Sequence, residues 1–161
     1  MKPIFASLAI AALLGACNST GEAPEQTVQQ LMANDVQPTA EIYWQSVQYI
    51  SDAEGMHEIF PKTDADWKRT RDAATRIGEL AELLKSPAYA AGRDEDWVTF
   101  ANSLIDVSRL AEQAADAREV EKTFEVGGTM YSVCSACHQV YPSTTEAEGG
   151  DVDRPGDEAE G

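Results

Sequence analysis

The sequence predicts an all-α protein, folded as an antiparallel up-down-up-down four-helix bundle. Four stretches place apolar residues three and four positions apart, which is the spacing of a helix buried along one face. The connections between these stretches are short, and short connections favour antiparallel neighbours. No strand pattern is recognised anywhere. The 161 residues suit one domain with a real core and leave no room for a second one of ordinary size.

The first helix is expected to run from about Gln26 to Ala53 and to end at Gly55. Apolar residues follow helical spacing on both sides of Pro38. Because proline cannot donate the helical hydrogen bond, this pattern predicts either one helix kinked at Pro38 or a short helix followed by a second one.

The second helix is expected to start after the capping sequence at residues 63–66 and to stop at Pro87, before a loop that contains Gly92. The third is expected to start near residues 94–96, whose carboxylates suit a helix N-terminus. The predicted core residues of these two helices are Trp67, Ala74, Ile77, Leu80, Ala81, Leu84, Trp97, Phe100, Leu104, Val107, Ala111 and Ala114.

The fourth helix, from about Arg118 to Tyr141, has the clearest periodicity, and Pro142 ends it. Gly127 and Gly128 lower its helix propensity, which indicates that another helix or a ligand approaches closely there. A heptad-type stripe is predicted to face the core, formed by Val120, Phe124, Gly127, Tyr131, Cys134, His138 and Tyr141.

Near the end of this helix, Cys134 and Cys137 are followed directly by His138. Two thiols at this spacing with an adjacent imidazole are typical of covalent c-type haem attachment, in which the histidine binds the iron. The alternatives are a redox dithiol, part of a zinc site and a disulfide. A redox dithiol normally follows a strand, and zinc would need a fourth ligand for which no second Cys or His pair exists. One haem c is therefore predicted.

The N-terminus predicts export. Lys2 precedes a short apolar run over 4–14, too short to span a bilayer, so residues 1–16 are interpreted as a signal peptide. Residues 14–17 resemble the lipobox of bacterial lipoproteins, which would make Cys17 the lipidated first residue of the mature protein. The alternative is an ordinary secretory signal that leaves Cys17 as a spare thiol. Residues 17–25 are expected to be a flexible tether, and the protein to be periplasmic and lipid-anchored to a bacterial membrane.

The chain carries 28 acidic and 12 basic residues, a formal net charge of −16. Such a surface repels nucleic acid and favours a redox partner with a basic docking surface, although the charge could equally serve solubility alone. Residues 143–161 are acidic with almost nothing apolar, and they are expected to be a disordered tail. The haem domain then spans 26–142.

The residues from Cys134 to Tyr141 match the CxxCHxxY ending of the cytochrome c-prime class, bacterial four-helix-bundle haem proteins that the chain resembles over about 26–141. The resemblance implies thioether bonds at Cys134 and Cys137, with His138 as the proximal ligand. It also implies that two copies can pair through their first two helices. A basic residue usually follows the tyrosine in this class, whereas this chain has Pro142. Members of the class either leave the sixth iron position open under an apolar residue or fill it with a first-helix methionine.

Helix geometry indicates which residues lie level with the haem. Counting back from the expected end of the first helix places Met32 beside the level of His138, with Val36 on the same face. Met32 is therefore the candidate sixth ligand, although a methionine on an apolar face is often plain packing. Met56 and His57 are expected in a loop at the opposite end. Residues expected to line a dry haem pocket are Leu80, Leu84, Trp97, Phe100 and Tyr141, although these apolar side chains could equally be ordinary core.

The favoured function is one-electron transfer by a membrane-tethered monohaem cytochrome, not an enzyme. The alternative is binding of nitric oxide or carbon monoxide at a five-coordinate haem, which needs an open iron face. A haem peroxidase is the weakest hypothesis, because the expected distal helix offers no His or Arg for acid-base work.

Overall fold

The computed structural model describes residues 24–143, and this part of the chain is mostly helical, as expected for an all-α protein. The predicted signal peptide, Cys17, nearly all of the tether, and the tail from residue 144 onward lie outside the described residues. None of the described helices is both long enough and apolar enough to cross a membrane.

The N-terminal helical segment runs without a break from residue 28 to residue 44. Its parts are α1 (Val28–Leu31), a π-helical turn (Met32–Val36) and α2 (Gln37–Trp44). Pro38 lies in the first turn of α2, and the amide of Gln37 just before it donates to the carbonyl of Met32, five residues back. The wider π turn accommodates a proline that has no amide hydrogen to donate. Of the two predicted alternatives, the segment is one helix with a local irregularity.

A β-hairpin follows, so the predicted helix to Ala53 and the expectation of no strand are both wrong. Strands β1 (Gln48–Asp52) and β2 (Gly55–Ile59) pair antiparallel. Their turn is fixed locally, because the Glu54 amide donates to Asp52 Oδ1 at 2.8 Å and Gly55 has a φ of 128°, which glycine adopts without strain. Gly55 therefore serves a tight turn and does not end a helix.

Four further helices follow the hairpin, and they are α3 (Asp64–Leu84), α4 (Pro87–Ala90), α5 (Glu95–Asp116) and α6 (Val120–Val140). The predicted starts of α3 and α5 are confirmed. Thr63 caps α3 in a reciprocal capping box with Asp66, and Asp94 is the N-cap of α5. Pro87 stands at the first position of the short helix α4, where its missing amide hydrogen is tolerated.

The core has two parts. Helix α5 packs against both α3 and α6, and α2 packs against α3. The central cluster joins all of these helices and includes Tyr43, Ile77, Leu104, Val126 and Met130. The end cluster joins the first helical segment to the facing ends of α3 and α5 and consists of Leu31, Val36, Leu80, Leu84, Tyr89, Trp97 and Ala101.

The predicted core stripe of α6 is wrong in part: Gly127 is buried and Cys134 and Tyr141 pack against the core, but three other members are exposed. Phe124 is 49% exposed, Tyr131 is 62% exposed and His138 is also exposed. The buried residues of α6 are instead Thr123, Val126, Gly127 and Met130. Both sets follow three- and four-residue spacing and share Gly127, so periodicity alone cannot choose between them. The structure buries the set with smaller side chains, and the aromatic rings lie at the margin of the core.

Candidate functional site

The Cys-x-x-Cys-His sequence lies in the last turns of α6. Cys134 and Cys137 are free thiols, both half-buried, and Cys134 packs against the central cluster. They are three residues apart, so they lie about one turn from each other on neighbouring parts of one helix face. The prediction that His138 points inward is wrong, because its side chain is exposed. Near this end of α6, the more buried face of the helix is the one that carries the two half-buried cysteines. The His138 imidazole is thus available for a ligand.

Burial keeps the two thiols protonated near neutral pH. It raises the pKa of Cys134 to about 11, and the nearby Cys137 adds to this shift. Burial also raises the pKa of Cys137, while the positive charge of Arg93 acts in the opposite direction. With no disulfide between them, both cysteines are reduced, which is the form needed for thioether attachment.

Tyr141 holds the end of α6 against α5. Its amide donates to the carbonyl of Cys137 at 2.8 Å, and its ring meets Trp97 edge to face, with 5.1 Å between centroids. Its hydroxyl donates to Asp94 Oδ1. This hydrogen bond is the main cause that raises the pKa of Tyr141 to about 12. These contacts restrain the turn that carries Cys137 and His138.

Arg93 belongs to the site, although the sequence did not single it out. Its guanidinium lies 3.8 Å from the ring centroid of Trp97 and 6.0 Å from that of Tyr141. Its Nε donates to the carbonyl of Tyr89 at 2.9 Å. The only local signal is the preceding Gly92, whose φ of 77° turns the loop back toward the helices. A cation at this position is the charge that acts on Cys137.

The structure brings most of the predicted pocket residues together. Val36, Leu84 and Trp97 belong to the end cluster, and the half-buried Met32 and Tyr141 pack against it. Trp97 is held by its indole N–H, which donates to the carbonyl of Leu84 at 2.7 Å. Phe100 is half-buried, with its ring 6.3 Å from Tyr141. Met32 is therefore at the end of the molecule where α6 finishes, as the counting along the helices predicted.

Met56 and His57 are not loop residues as predicted, because both lie on β2. Met56 is 70% exposed and His57 Nε2 lies 3.1 Å from Asp52 Oδ1 within the hairpin. The strand forms because the chain turns back at Gly55 instead of leaving a helix there. Neither residue takes part in the clusters that surround α6.

The donor chemistry at the end of α6 is compatible with a covalently attached haem. A c-type haem needs two thiols and one imidazole in sequence, and all three are accessible or half-buried at the end of α6. Within residues 24–143, no three or more His, Cys, Asp or Glu side chains are grouped so that they could hold a metal ion.

Comparisons with protein-family models, curated proteins and solved structures found no match.

Proposed function

We propose that the protein is a monohaem c-type cytochrome that transfers single electrons. The observation that carries this proposal is the pair of free, half-buried thiols one turn apart on α6, followed by an exposed imidazole. Cys134 and Cys137 would hold the haem by thioether bonds, and His138 would bind its iron. A bound haem supplies an iron centre that alternates between the ferric and ferrous states.

The remaining side chains around the site would hold and shield that group. Trp97 and Tyr141 fix the end of α6 by ring contacts and by the hydrogen bonds to Leu84 and Asp94. The apolar end cluster excludes water on this side of the molecule, which raises the strength of nearby electrostatic interactions. We infer a four-helix bundle formed by residues 28–44, α3, α5 and α6, with the haem near the end of the last helix.

Met32 is the proposed sixth ligand. Two observations support it, namely its packing against the same cluster as Tyr141 and its place at the start of the π turn. Single π turns inside helices occur frequently at functional sites. A thioether ligand would raise the reduction potential relative to two nitrogen ligands.

Gas binding is the second candidate, and the observation that favours it is that Met32 is half-buried on an apolar helix face, as a side chain that serves only packing is. If that half-buried side chain only fills space beside Leu31 and Val36, the sixth iron position stays open. Nitric oxide or carbon monoxide could then bind there. Peroxidase chemistry keeps the lowest rank, since a distal His or Arg is missing from the described residues 24–44.

The cellular setting remains as proposed from the sequence. Lipidation at Cys17 would anchor the protein to a bacterial membrane on its periplasmic side. The net charge of −16 favours a redox partner with a basic surface and disfavours nucleic acid. Pairing of two copies through the first two helices is part of the same proposal.

The proposal is tested by producing the full chain in a bacterium that attaches haem to exported proteins. The purified protein should exceed the mass of its mature polypeptide by one haem and the acyl chains on Cys17, and its reduced form should show haem absorption bands. Cys134→Ala and Cys137→Ala should each weaken the attachment, and the double variant should lose it. A chain that folds and is exported without haem would refute the proposal.

The sixth ligand is tested by absorption spectra of the reduced protein. Met32→Ala should change sharp, split low-spin bands into a broad high-spin spectrum, because the iron loses a strong-field ligand. Met56→Ala removes an exposed methionine of the hairpin and should leave the spectrum unchanged. A low-spin spectrum in Met32→Ala would rule out Met32. A high-spin wild-type spectrum that responds to carbon monoxide would favour gas binding.

A further inference from the structure

An open cleft lies between the hairpin and the first half of α6. Its volume is about 600 Å³, and its walls are mostly apolar. Tyr43, Trp44 and Tyr49 line one wall, and Phe124 and Tyr131 line the other. Phe124 and Tyr131 are about half exposed, so this wall of the cleft presents apolar surface to solvent. None of the sequence-predicted site residues lines this cleft.

The rings that line the cleft are held in place. The indole N–H of Trp44 donates to the carbonyl of Gly127 at 3.0 Å, and its ring meets Tyr131 edge to face at 6.0 Å. Tyr49 meets Phe124 at 5.0 Å, and its hydroxyl donates to Glu121 Oε1 at 2.8 Å. Fixed aromatic side chains lose little conformational freedom when a partner covers them, which favours binding.

The rim of the cleft is acidic. Glu125 lines it and pairs with Lys122 at 2.9 Å, so this carboxylate is partly compensated. Glu121 lies beside Tyr49, and Glu58 is close enough to add to the charge there. Three carboxylates and one lysine leave a net negative charge around the apolar walls of the cleft. The complementary surface is therefore apolar in its centre and basic at its edges.

The cleft is also close to the proposed haem. Tyr131 precedes Cys134 by three residues on α6, a rise of about 4.5 Å along the helix. Phe124 precedes it by ten residues, about 15 Å. A partner seated over these rings would thus lie beside the segment that carries the attachment cysteines.

We propose that this cleft is the docking surface for the redox partner, which inserts the apolar face of a basic amphipathic helix between the hairpin and α6. Amphipathic helices bind apolar grooves in this manner through residues three and four apart. The assignment of the partner as a redox protein rests on the proposed function, whereas the recognition of a basic amphipathic segment rests on the cleft itself.

The test uses the haem-containing full chain and a fluorescently labelled synthetic helix of leucine and lysine with apolar residues on one face. Binding should be measurable by fluorescence anisotropy and should weaken with added salt. Tyr131→Ser should lower the affinity by about tenfold or more, because it removes an exposed aromatic anchor. Leu110→Ser, at an apolar residue of α5 that is 49% exposed and does not line the cleft, should leave the affinity unchanged.

A second pair of variants tests how much the acidic rim of the cleft contributes to binding. Glu121→Gln should weaken binding and reduce its salt dependence, whereas Asp106→Asn, at an exposed carboxylate on α5, should change neither. A helix with glutamate in place of lysine should not bind. Equal affinities for Tyr131→Ser and Leu110→Ser would overturn the proposal.

Two other occupants give distinct results. If a second copy fills the cleft, sedimentation will show a dimer that Tyr131→Ser dissociates, and the docking proposal fails. If the haem fills the cleft, Tyr131→Ser will alter the haem absorption spectrum but not the affinity for the synthetic helix. The docking proposal fails in this case too. Intact mass on the same sample reports haem attachment separately, so loss of the cytochrome assignment and loss of the docking site are distinguishable.

Discussion

At the scale of single residues, two adjacent glycines of α6 differ in what surrounds them. A Cβ at Gly128 would meet nothing within 4 Å, so Gly128→Ala should stabilise the helix by about 0.5–1 kcal/mol through propensity alone. A Cβ at Gly127 would lie 3.3 Å from Trp44 Cδ1. That ring cannot easily retreat, because its N–H is bonded to the Gly127 carbonyl. Gly127→Ala should therefore give no gain or a net loss.

Urea unfolding followed by circular dichroism measures both glycine variants against the wild type. The midpoint should rise for Gly128→Ala and stay equal or fall for Gly127→Ala. Equal stabilisation of the two variants would show that α2 does not pack closely on α6 at this position.

The raised pKa of Tyr141 predicts that the folded protein loses stability in alkali. The hydrogen bond to Asp94 raises its pKa to about 12, with a further contribution from Asp96, above the ordinary value of 10.0. The folded state thus favours the neutral phenol. Its contribution is complete below pH 10 and disappears as the pH rises toward 12. Tyr141→Phe should be less stable at pH 8 and should show a shallower decline between pH 10 and 12.

Thermal unfolding at pH 8, 10 and 11.5 provides the comparison for Tyr141. Part of the decline should persist in the variant, because burial also raises the pKa of Tyr43 to about 12. Identical profiles for wild type and Tyr141→Phe would argue against the hydrogen bond to Asp94.

At the scale of elements, the hairpin should open without the helices. All residues of β2 are exposed, so few apolar contacts hold this strand to the rest of the molecule. Gly55→Ala places a Cβ on a residue with a φ of 128°, which should cost roughly 1 kcal/mol or more. We expect faster hydrogen exchange of amides 48–59 with little change in α3 and α5. Uniformly faster exchange along the chain would contradict this independence.

The elements also show why sequence patterns succeeded in some places and failed in others. The starts of α3 and α5 were predictable because their signals are local: Thr63 and Asp66 form a capping box, and α5 begins with carboxylates in its first turn. The hairpin was missed because Val47 and Ile50 fit helical spacing, while the turn at Gly55 resembles a helix stop. On α6 two overlapping stripes satisfied the same period, and only contact with α5 and α2 selects one.

The candidate site was predictable where the signal is contiguous. The two cysteines and His138 adjoin one another in sequence, so their proximity follows directly. The position of Met32 at the same end of the molecule as the end of α6 was also anticipated. That prediction counted residues back from a helix end near Ala53, where the structure has a β-hairpin instead. Arg93 was not, because its position over Trp97 depends on how a loop returns to the helices. Its guanidinium also lies 6.0 Å from the ring centroid of Tyr141, and a contact between residues 48 positions apart has no counterpart in periodicity or local spacing.

At the scale of the whole molecule, the excess of acidic residues should make stability depend on salt. Surface ion pairs such as Arg118 with Asp64 are more than half exposed, and exposed pairs contribute only about 0–1 kcal/mol each. Repulsion among a net charge of −16 acts over longer distances, and the screening length falls from about 30 Å at 0.01 M salt to about 8 Å at 0.15 M. Screening should therefore relieve more repulsion than attraction, and the melting temperature at pH 7 should rise by a few degrees when sodium chloride increases over this range. The control is the same salt series near pH 4.3, the isoelectric point, where the net charge vanishes and the stabilisation by salt should vanish with it. A melting temperature that falls with salt at pH 7 would mean that the surface ion pairs outweigh the net repulsion.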